Sequence, residues 1–166
     1  MRRLPTERYY EEEGRAELTP RDFGILMHRV FENAATTDEI YMAIEAMTQD
    51  GVLDEKEAPR LRELVEKALA DPVTAEWFGG RWQVVRNENE IILPGSGTTR
   101  RPDRVMTDGE RAVVVDYKFG DRETARHRKQ IREYLRLLRQ MGYTRTEGYL
   151  WYVRLGRTER VEEKED

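Results

Sequence analysis

The spacing of apolar residues changes from helical to extended at Gly79-Gly80, and this change constrains the fold more than any other feature of the sequence. Before it, several stretches carry apolar residues three or four positions apart. After it, short β-rich runs are separated by turn sequences such as residues 94–97. We therefore predict an N-terminal helical segment of three helices, followed by a β-sheet. The predicted helices begin at Thr19, Thr37 and Asp54.

The extended runs lead to a long helix and one further strand. The helix, residues 122–141, has Ile131, Leu135 and Leu138 as its apolar stripe. A strand followed by a helix and another strand implies a right-handed crossover and a parallel pair. We expect an α/β (α+β) fold with a mixed sheet of about five strands flanked by helices. The extended runs predict a meander of hairpins over residues 82–86, 90–93, 99–106 and 111–117, and the last strand covers residues 147–155.

The apolar run 112–115 ends in Asp116-Tyr117-Lys118. Because side chains alternate along a strand, Asp116 and Lys118 face one side of the sheet and Tyr117 faces the other. A short turn pairs this run with the one that contains Pro102-Asp103, so two carboxylates are expected to converge. Paired carboxylates beside an ammonium group suit Mg²⁺ or Mn²⁺ and a lysine that positions water or stabilises charge on a phosphate. This is chemistry for phosphodiester hydrolysis.

Each of these features also has a purely structural explanation. Asp116 and Lys118 can be a solvated ion pair at the end of a strand, contributing under about 1 kcal/mol. His28 lies on the apolar side of its predicted helix, where a histidine is more often a core residue than a ligand. Gln130 and Tyr134, four residues apart and adjacent on the surface of the long helix, can simply border the core. Taken one at a time, these residues leave both interpretations open.

Taken in order, the motifs resemble the RecB-like nuclease module of the PD-(D/E)XK superfamily, as found at the C-terminus of superfamily 1 helicases of the UvrD/RecB/AddA type. The resemblance covers about residues 18–153 and implies a restriction-endonuclease-like core. It divides the chain into an extended lead-in (1–17), the nuclease domain (18–155) and a charged tail (156–166). The matching motifs are Gly24-x-x-x-His28, Arg101-Pro102-Asp103-Arg104, Val115-Asp116-Tyr117-Lys118 and Gln130-x-x-x-Tyr134.

The resemblance also implies roles for individual residues. Metal ligands would be His28, Asp103, Asp116 and the backbone carbonyl of Tyr117. The catalytic set would be Lys118, Asp116, Asp103, Gln130 and Tyr134, and the last two would also contact DNA. A glutamate on an earlier strand is frequent in the family, and Glu88 and Glu90 are equal candidates for it, with Glu88 assigned as a weak metal ligand. A neutral imidazole is required for ligation, so we expect activity to fall as the histidine becomes protonated.

Composition narrows the partners and cofactors. The chain of 166 residues has 29 Lys and Arg against 33 Asp and Glu, so DNA binding depends on local charge. We predict four cations as nucleic-acid-binding residues: Arg101 and Arg104, which flank Pro102-Asp103, and Arg126 and Lys129, which lie in the long helix crowded with arginines. The chain has no cysteine, which excludes an iron–sulfur cluster held by thiolates. It has no GxxxxGK[ST] loop, so no bound nucleotide is expected and a helicase, fused or separate, would supply the motor.

These observations favour a divalent-metal-dependent DNA nuclease, an exonuclease that acts on single strands or duplex ends delivered by a helicase in double-strand-break repair. One alternative is a non-catalytic DNA-binding or scaffold module of a helicase–nuclease complex. Another is a helical and β domain whose charges are only a solvated surface. The sequence has no apolar run long enough for a membrane span and no signal peptide, so we expect a soluble, cytoplasmic protein without membrane contact.

Overall fold

The computed structural model describes residues 17–87, 91–92, 99–100, 102–118 and 125–163. Every helix in these ranges is too short or too polar to span a lipid bilayer. The helices are α1 (Pro20–Glu32), α2 (Thr37–Gln49), α3 (Glu57–Ala68), α4 (Pro72–Trp77) and α5 (Ala125–Gln140). The strands are β1 (Val84–Asn87), β2 (Ile91–Ile92), β3 (Thr99–Arg100), β4 (Arg104–Asp108), β5 (Arg111–Lys118), β6 (Arg145–Tyr152) and β7 (Arg157–Val161).

Five strands form one mixed sheet in the order β1-β4-β5-β6-β7. Neighbouring strands are antiparallel except β5 and β6, which run parallel. The connection between these two strands contains α5, because a parallel pair needs a crossover long enough to return the chain to the same edge. The predicted mixed sheet of five strands, its flanking helices and the parallel pair are therefore confirmed.

Strand β5 separates two apolar cores because its side chains alternate between the faces of the sheet. Val113, Val115 and Tyr117 join the core that contains residues of α1 to α4. Ala112 and Val114 join the core under α5. Most of β5 is thus buried on both faces, which is why its sequence is a nearly continuous apolar run.

Helix α1 begins with a reciprocal cap. The Asp22 N–H donates to Thr19 Oγ1 at 3.2 Å, and the Thr19 N–H donates to Asp22 Oδ2 at 3.0 Å. From this start, the spacing of Phe23, Met27 and Phe31 buries one side of the helix. His28 lies at the edge of that side, with 36% of its side chain exposed. The cap therefore determines where His28 emerges from the core.

Helix α5 approaches β6 at Gly148, which is buried. A Cβ atom added at this position would overlap Ile131 Cγ2 and lie 3.2 Å from Leu135 Cδ1. The absence of a side chain therefore lets the apolar stripe of α5 rest directly on the sheet. This close approach sets the height of the whole helix above the strands.

Between residue 17 and the first strand, the structure describes four helices, where three were predicted. The additional helix is the short helix α4, which the apolar spacing did not predict. Asp71 Oδ1 accepts a hydrogen bond from the Val73 N–H at 2.8 Å, and Pro72 occupies the first turn. Residues that end one helix thus cap the next one.

The predicted strand 99–106 is wrong, and so is the simple meander. Strand β3 pairs only with β2, in a separate two-stranded sheet, while β4 pairs with β1 and begins at Arg104. Pro102 has no N–H to donate to a ladder, and the Asp103 N–H binds a side chain instead of a neighbouring strand. Pro102-Asp103 therefore precedes the strand on which it was placed.

The last predicted strand, residues 147–155, is confirmed as β6, but it ends earlier than predicted and a further strand, β7, follows it. Strand β6 ends at Tyr152, and β7 returns antiparallel to it after a turn in which Gly156 adopts a φ of 60°. Val161 of β7 is buried in the core under α5. The boundary predicted at residue 155 thus divides a hairpin, and the sheet continues through Val161 into the segment assigned to a charged tail.

Candidate active site

Asp103 and Asp116 meet at the end of the β4–β5 hairpin. The Asp103 N–H donates to Asp116 Oδ1 at 3.2 Å, and the Tyr117 N–H donates to Asp103 Oδ2 at 2.7 Å. Asp116 comes from the regular strand β5, whereas Asp103 lies just before β4, where Pro102 has interrupted the ladder. The predicted convergence of these carboxylates is confirmed, and backbone N–H groups hold them in place.

Asp116 is a buried acid beside a second carboxylate. Only 4% of the residue is exposed. Burial is the largest cause that raises the pKa of Asp116, to about 6, and the negative charge of Asp103 adds to it. Lys118 acts in the opposite direction, because its Nζ lies 3.3 Å from Asp116 Oδ2. This group therefore ionises at a cost that a nearby cation reduces.

Helix α1 brings His28 to the same place. His28 Nε2 lies 3.8 Å from Asp103 Oδ1, and the ring stands edge-on to Tyr117 at 6.4 Å between centroids. His28 Nδ1 lies 4.0 Å from Glu32 Oε2, one turn further along the helix. The structure thus places the predicted histidine next to Asp103, although 75 positions separate them in sequence.

Two carboxylates and an imidazole are donors of the type that Mg²⁺ and Mn²⁺ accept. Burial, and then the negative charge of Asp103, raises the pKa of Asp116, and a divalent cation beside the two carboxylates would favour their ionised forms. The donor set therefore fits such an ion in chemical type. Within the described ranges, no group of three or more His, Cys, Asp or Glu is arranged to hold a metal ion. Glu88 and Glu90, the other predicted candidates, lie outside those ranges.

Gln130 and Tyr134 are in contact on α5, with the Gln130 Nε2 donating to the Tyr134 hydroxyl at 3.0 Å. The sequence predicted both side chains on the surface of the helix. Tyr134 is instead fully buried in the core between α5 and the sheet, because its ring continues the apolar stripe of Ile131 and Leu138. Gln130 is the member of the pair that keeps partial exposure.

His127 was missed by the sequence analysis. It lies one turn before Gln130 on the half-buried side of α5, and its Nδ1 is buried without a hydrogen-bond partner among the described residues. Burial, and then the positive charges of Lys118 and Arg126, lower the pKa of His127. The spacing of three and four residues that joins His127, Gln130 and Tyr134 was the signal that would have found it.

Arg104 is not accessible to a nucleic acid, contrary to the prediction, because the residue is 0% exposed. Its side chain is fully buried and donates to backbone carbonyl oxygens, because it follows Asp103 on the face of β4 that meets the N-terminal helices. Arg101, the other arginine of that motif, lies outside the described residues. The motif therefore offers no described cation for a phosphate.

The arginines of α5 are partly neutralised. Arg128 pairs with Glu159 of β7, and Arg139 pairs with Glu163. Arg126 and Lys129 are exposed, and neither forms an ion pair with another residue that the structure describes. Both of these predicted nucleic-acid-binding residues are therefore available to a phosphate backbone.

Comparison with known proteins gives one clear match. The family model described as the PD-(D/E)XK nuclease superfamily matches residues 3–166, which is nearly the whole chain. No curated protein matches it. The match includes His28, both aspartates, Lys118 and the Gln130–Tyr134 pair.

Proposed function

We propose a mechanism of DNA cleavage for this chain, which belongs to the PD-(D/E)XK nuclease superfamily. Membership makes it a metal-dependent nuclease with DNA as substrate. We assign the cleavage to the site formed by Asp103, Asp116 and Lys118. The observation that carries this assignment is the pair of carboxylates held together by backbone N–H groups, with an ammonium 3.3 Å from Asp116.

The carboxylates are the anionic part of the site. Asp103, Asp116, His28 and the carbonyl of Tyr117 would hold the divalent ion, which we propose is Mg²⁺ or Mn²⁺. When bound, such an ion lowers the pKa of water and withdraws charge from a phosphate oxygen. The protein keeps Asp116 in place through the Asp103 N–H, so the negative charge is prepared before any substrate arrives.

Lys118 is the cationic part of the site. It lies on the same face of β5 as Asp116 and is only 21% exposed at its side chain, which strengthens its field compared with a lysine in water. We assign it the task of orienting the attacking water and stabilising the charge that develops on the phosphate. Attack at phosphorus then breaks one P–O bond of the DNA backbone, and a proton passes to the leaving oxygen.

The exposed part of α5 would bind the strand. Gln130 is held by the Tyr134 hydroxyl and so presents its amide in a defined direction, while Arg126 and Lys129 supply positive charge. We propose that the substrate is a single strand or a duplex end, and that cutting is exonucleolytic. Support for a RecB-like module working with a helicase comes from the ordered set of motifs, which resembles that module.

The test is cleavage of 5′-labelled linear single-stranded DNA with Mg²⁺, with Mn²⁺ and with EDTA, using the wild type and Asp116→Ala. A circular single strand in parallel separates exonuclease from endonuclease action. We expect metal-dependent shortening of the linear strand, no cleavage of the circle, and no activity in the variant. Cleavage of the circle would replace the exonuclease by an endonuclease.

Wild-type protein that binds Mn²⁺ and DNA but cuts nothing would favour the scaffold module. In that case, the same assay with a superfamily 1 helicase and ATP decides whether strand delivery is required. Continued inactivity with the helicase would contradict the nuclease assignment for this site. Cleavage that survives in EDTA would contradict the metal-dependent reaction.

A further inference from the structure

Arg104 is a buried cation whose hydrogen-bond partners are all neutral. Its residue surface is 0% exposed, and within the described part of the chain no carboxylate forms an ion pair with it. A buried charge without an ion pair is costly unless every donor finds an acceptor. A residue that is kept buried at such a cost is a candidate for positioning the elements around it.

The guanidinium group of Arg104 joins three separate segments. Its Nη1 donates to Ala34 O at 2.5 Å and to Asn87 Oδ1 at 3.2 Å. Its Nη2 donates to Ala35 O at 2.8 Å and to Trp77 O at 2.6 Å. Ala34 and Ala35 follow α1, Asn87 is the last residue of β1, and Trp77 is the last residue of α4. One planar group therefore connects the segments that surround β4.

The acceptors suit a cation. All three backbone acceptors are carbonyl oxygens with partial negative charge: Ala34 and Ala35 lie in the link that follows α1, and Trp77 is the last residue of α4. The guanidinium also lies 4.0 Å above the ring of Phe78. A lysine ammonium has no planar fork and would not reach both the link after α1 and the end of α4 from one position.

The position of Arg104 couples this junction to the metal site. Arg104 directly follows Asp103, and α1 is the helix that carries His28. Because Arg104 fixes the link that directly follows α1 onto β4, it limits how far this helix, and with it His28, can move from Asp103. The relevant distance is 3.8 Å between His28 Nε2 and Asp103 Oδ1.

We propose that Arg104 is a positioning residue, which holds α1 against β4 and so sets the separation of His28 and Asp103 for the divalent ion. The proposal rests on the proposed metal-dependent function. Arg104 touches neither the substrate nor the ion, and it acts through the two residues that would bind the ion. Its loss should therefore weaken metal binding more than it weakens the fold.

The experiment measures Mn²⁺ binding by the loss of the free-ion electron paramagnetic resonance signal. The proteins are the wild type, Arg104→Lys, Arg104→Met and Asp116→Ala. The matched control is Leu61→Ala, which removes fully buried atoms in α3, a helix that carries no residue of the site. Circular dichroism at the same temperature shows which proteins are folded. Arg104→Lys serves where Arg104→Met fails to fold, because it retains the cation and most of the volume.

We expect the folded Arg104 variants to bind Mn²⁺ about tenfold more weakly than the wild type, as for other residues that orient ligands. We expect the control variant to bind with unchanged affinity. In cleavage assays, the Arg104 variants should need more Mn²⁺ for half-maximal rate and should regain rate when Mn²⁺ saturates. If Arg104 only stabilised the fold, Mn²⁺ affinity would fall equally in the Arg104 variants and in Leu61→Ala.

Folded Arg104 variants with wild-type Mn²⁺ affinity would overturn the positioning role. An equal loss of affinity in Leu61→Ala would also overturn it, since the effect would then follow stability alone. If the wild type itself shows no saturable Mn²⁺ binding, or if Asp116→Ala binds as well as the wild type, the proposed function fails instead. The two failures are thus distinguished within one titration series.

Discussion

The two faces of β5 end differently, although one strand forms both. On the face toward α1 to α4, Val113, Val115 and Tyr117 are buried in the core almost to the end of the strand. The ring of Tyr117 packs against Trp151, with 5.5 Å between the ring centroids. On the face toward α5, Ala112 and Val114 give way to Asp116 and Lys118. The first face is a sealed core, and the second becomes a charged site.

The difference shows how a costly group is kept in place. Ionised Asp116 is unfavourable in its buried position, as its raised pKa shows. The opposite face of the same strand buries apolar and aromatic side chains that hold β5 rigidly in the sheet. Because backbone alternation links the two faces, packing on one side fixes the direction of charges on the other. Mutations on each face should therefore separate function from stability.

The largest effect is expected on the charged face. Lys118→Ala should lower the cleavage rate by a factor on the order of 10³, since it removes a preorganised cation. Mn²⁺ binding should be largely retained, whereas Asp116→Ala should lose both binding and cleavage. Single-turnover cleavage and Mn²⁺ titration measure the two quantities. Normal cleavage by Lys118→Ala would mean that Lys118 has no catalytic task.

Next in size is a change that lifts the helix covering the charged face. Gly148→Ala should destabilise the fold by about 2 kcal/mol, because the added methyl group overlaps Ile131. Since α5 carries Gln130, cleavage should also fall at temperatures where the protein is folded. Urea unfolding and cleavage assays check both effects.

Gly109→Ala is the matched control for that change. It introduces strain at a φ of 59° in an exposed turn where the new methyl group meets nothing within 4 Å. We expect a loss of about 1 kcal/mol from the backbone strain, with normal cleavage. Equal losses of cleavage in both variants would show that α5 needs no exact height above the sheet.

A smaller and opposite effect on stability is expected from Asp116→Asn. Because the pKa of Asp116 is about 6 in the folded state against 3.8 ordinarily, the folded protein binds this proton more tightly than the unfolded chain. Ionisation therefore costs stability above pH 6, and the cost fades as the pH falls toward 4. The variant should be more stable by about 2 kcal/mol at pH 8 without metal. Near pH 4 it should match the wild type.

Urea unfolding at pH 4, 6 and 8 in EDTA measures this difference. When Mn²⁺ is added in place of EDTA, it should stabilise the wild type and leave the variant unaffected, because the bound ion offsets the negative charge of the carboxylates. A pH-independent difference between the two proteins would contradict the raised pKa. A less stable variant at pH 8 would show that ionised Asp116 is favourable in the fold.

The smallest effect is expected for the cations at the edge of the charged face. Arg126→Ala and Lys129→Ala should each weaken single-strand binding several-fold and lower the salt dependence of log K by about 0.7 per phosphate contact. Arg128→Ala, whose arginine pairs with Glu159, is the control and should change binding less. Fluorescence anisotropy over a range of NaCl concentrations provides the slopes. If all three variants kept the salt dependence of the wild type, α5 would not be part of the DNA-binding surface.

Sequence patterns predicted the parts of the molecule that depend on local periodicity. The alternation in β5 gave both the buried strand and the shared face of Asp116 and Lys118, and both are confirmed. The apolar spacing of α1 and α5 predicted both helices. These features depend on residues close in the chain, so a pattern is enough to find them.

Patterns failed where distant residues decide the environment. Arg104 looked like a surface cation beside a motif, but its acceptors come from residues 69 and 70 positions away. Tyr134 looked like a surface partner of Gln130, but the close contact at Gly148 draws α5 onto the sheet and buries the ring. The break before β4 depends on the use of the Asp103 N–H by Asp116, which strand propensity does not contain.

The central claim is that Asp103 and Asp116 hold a divalent ion on the charged face of β5. Crystals soaked with Mn²⁺ and measured at the manganese absorption edge locate the ion by its anomalous signal. The account predicts a peak within about 2.5 Å of carboxylate oxygens of both aspartates, with His28 turned toward it. A peak elsewhere on the protein, with both carboxylates free of metal, would contradict it.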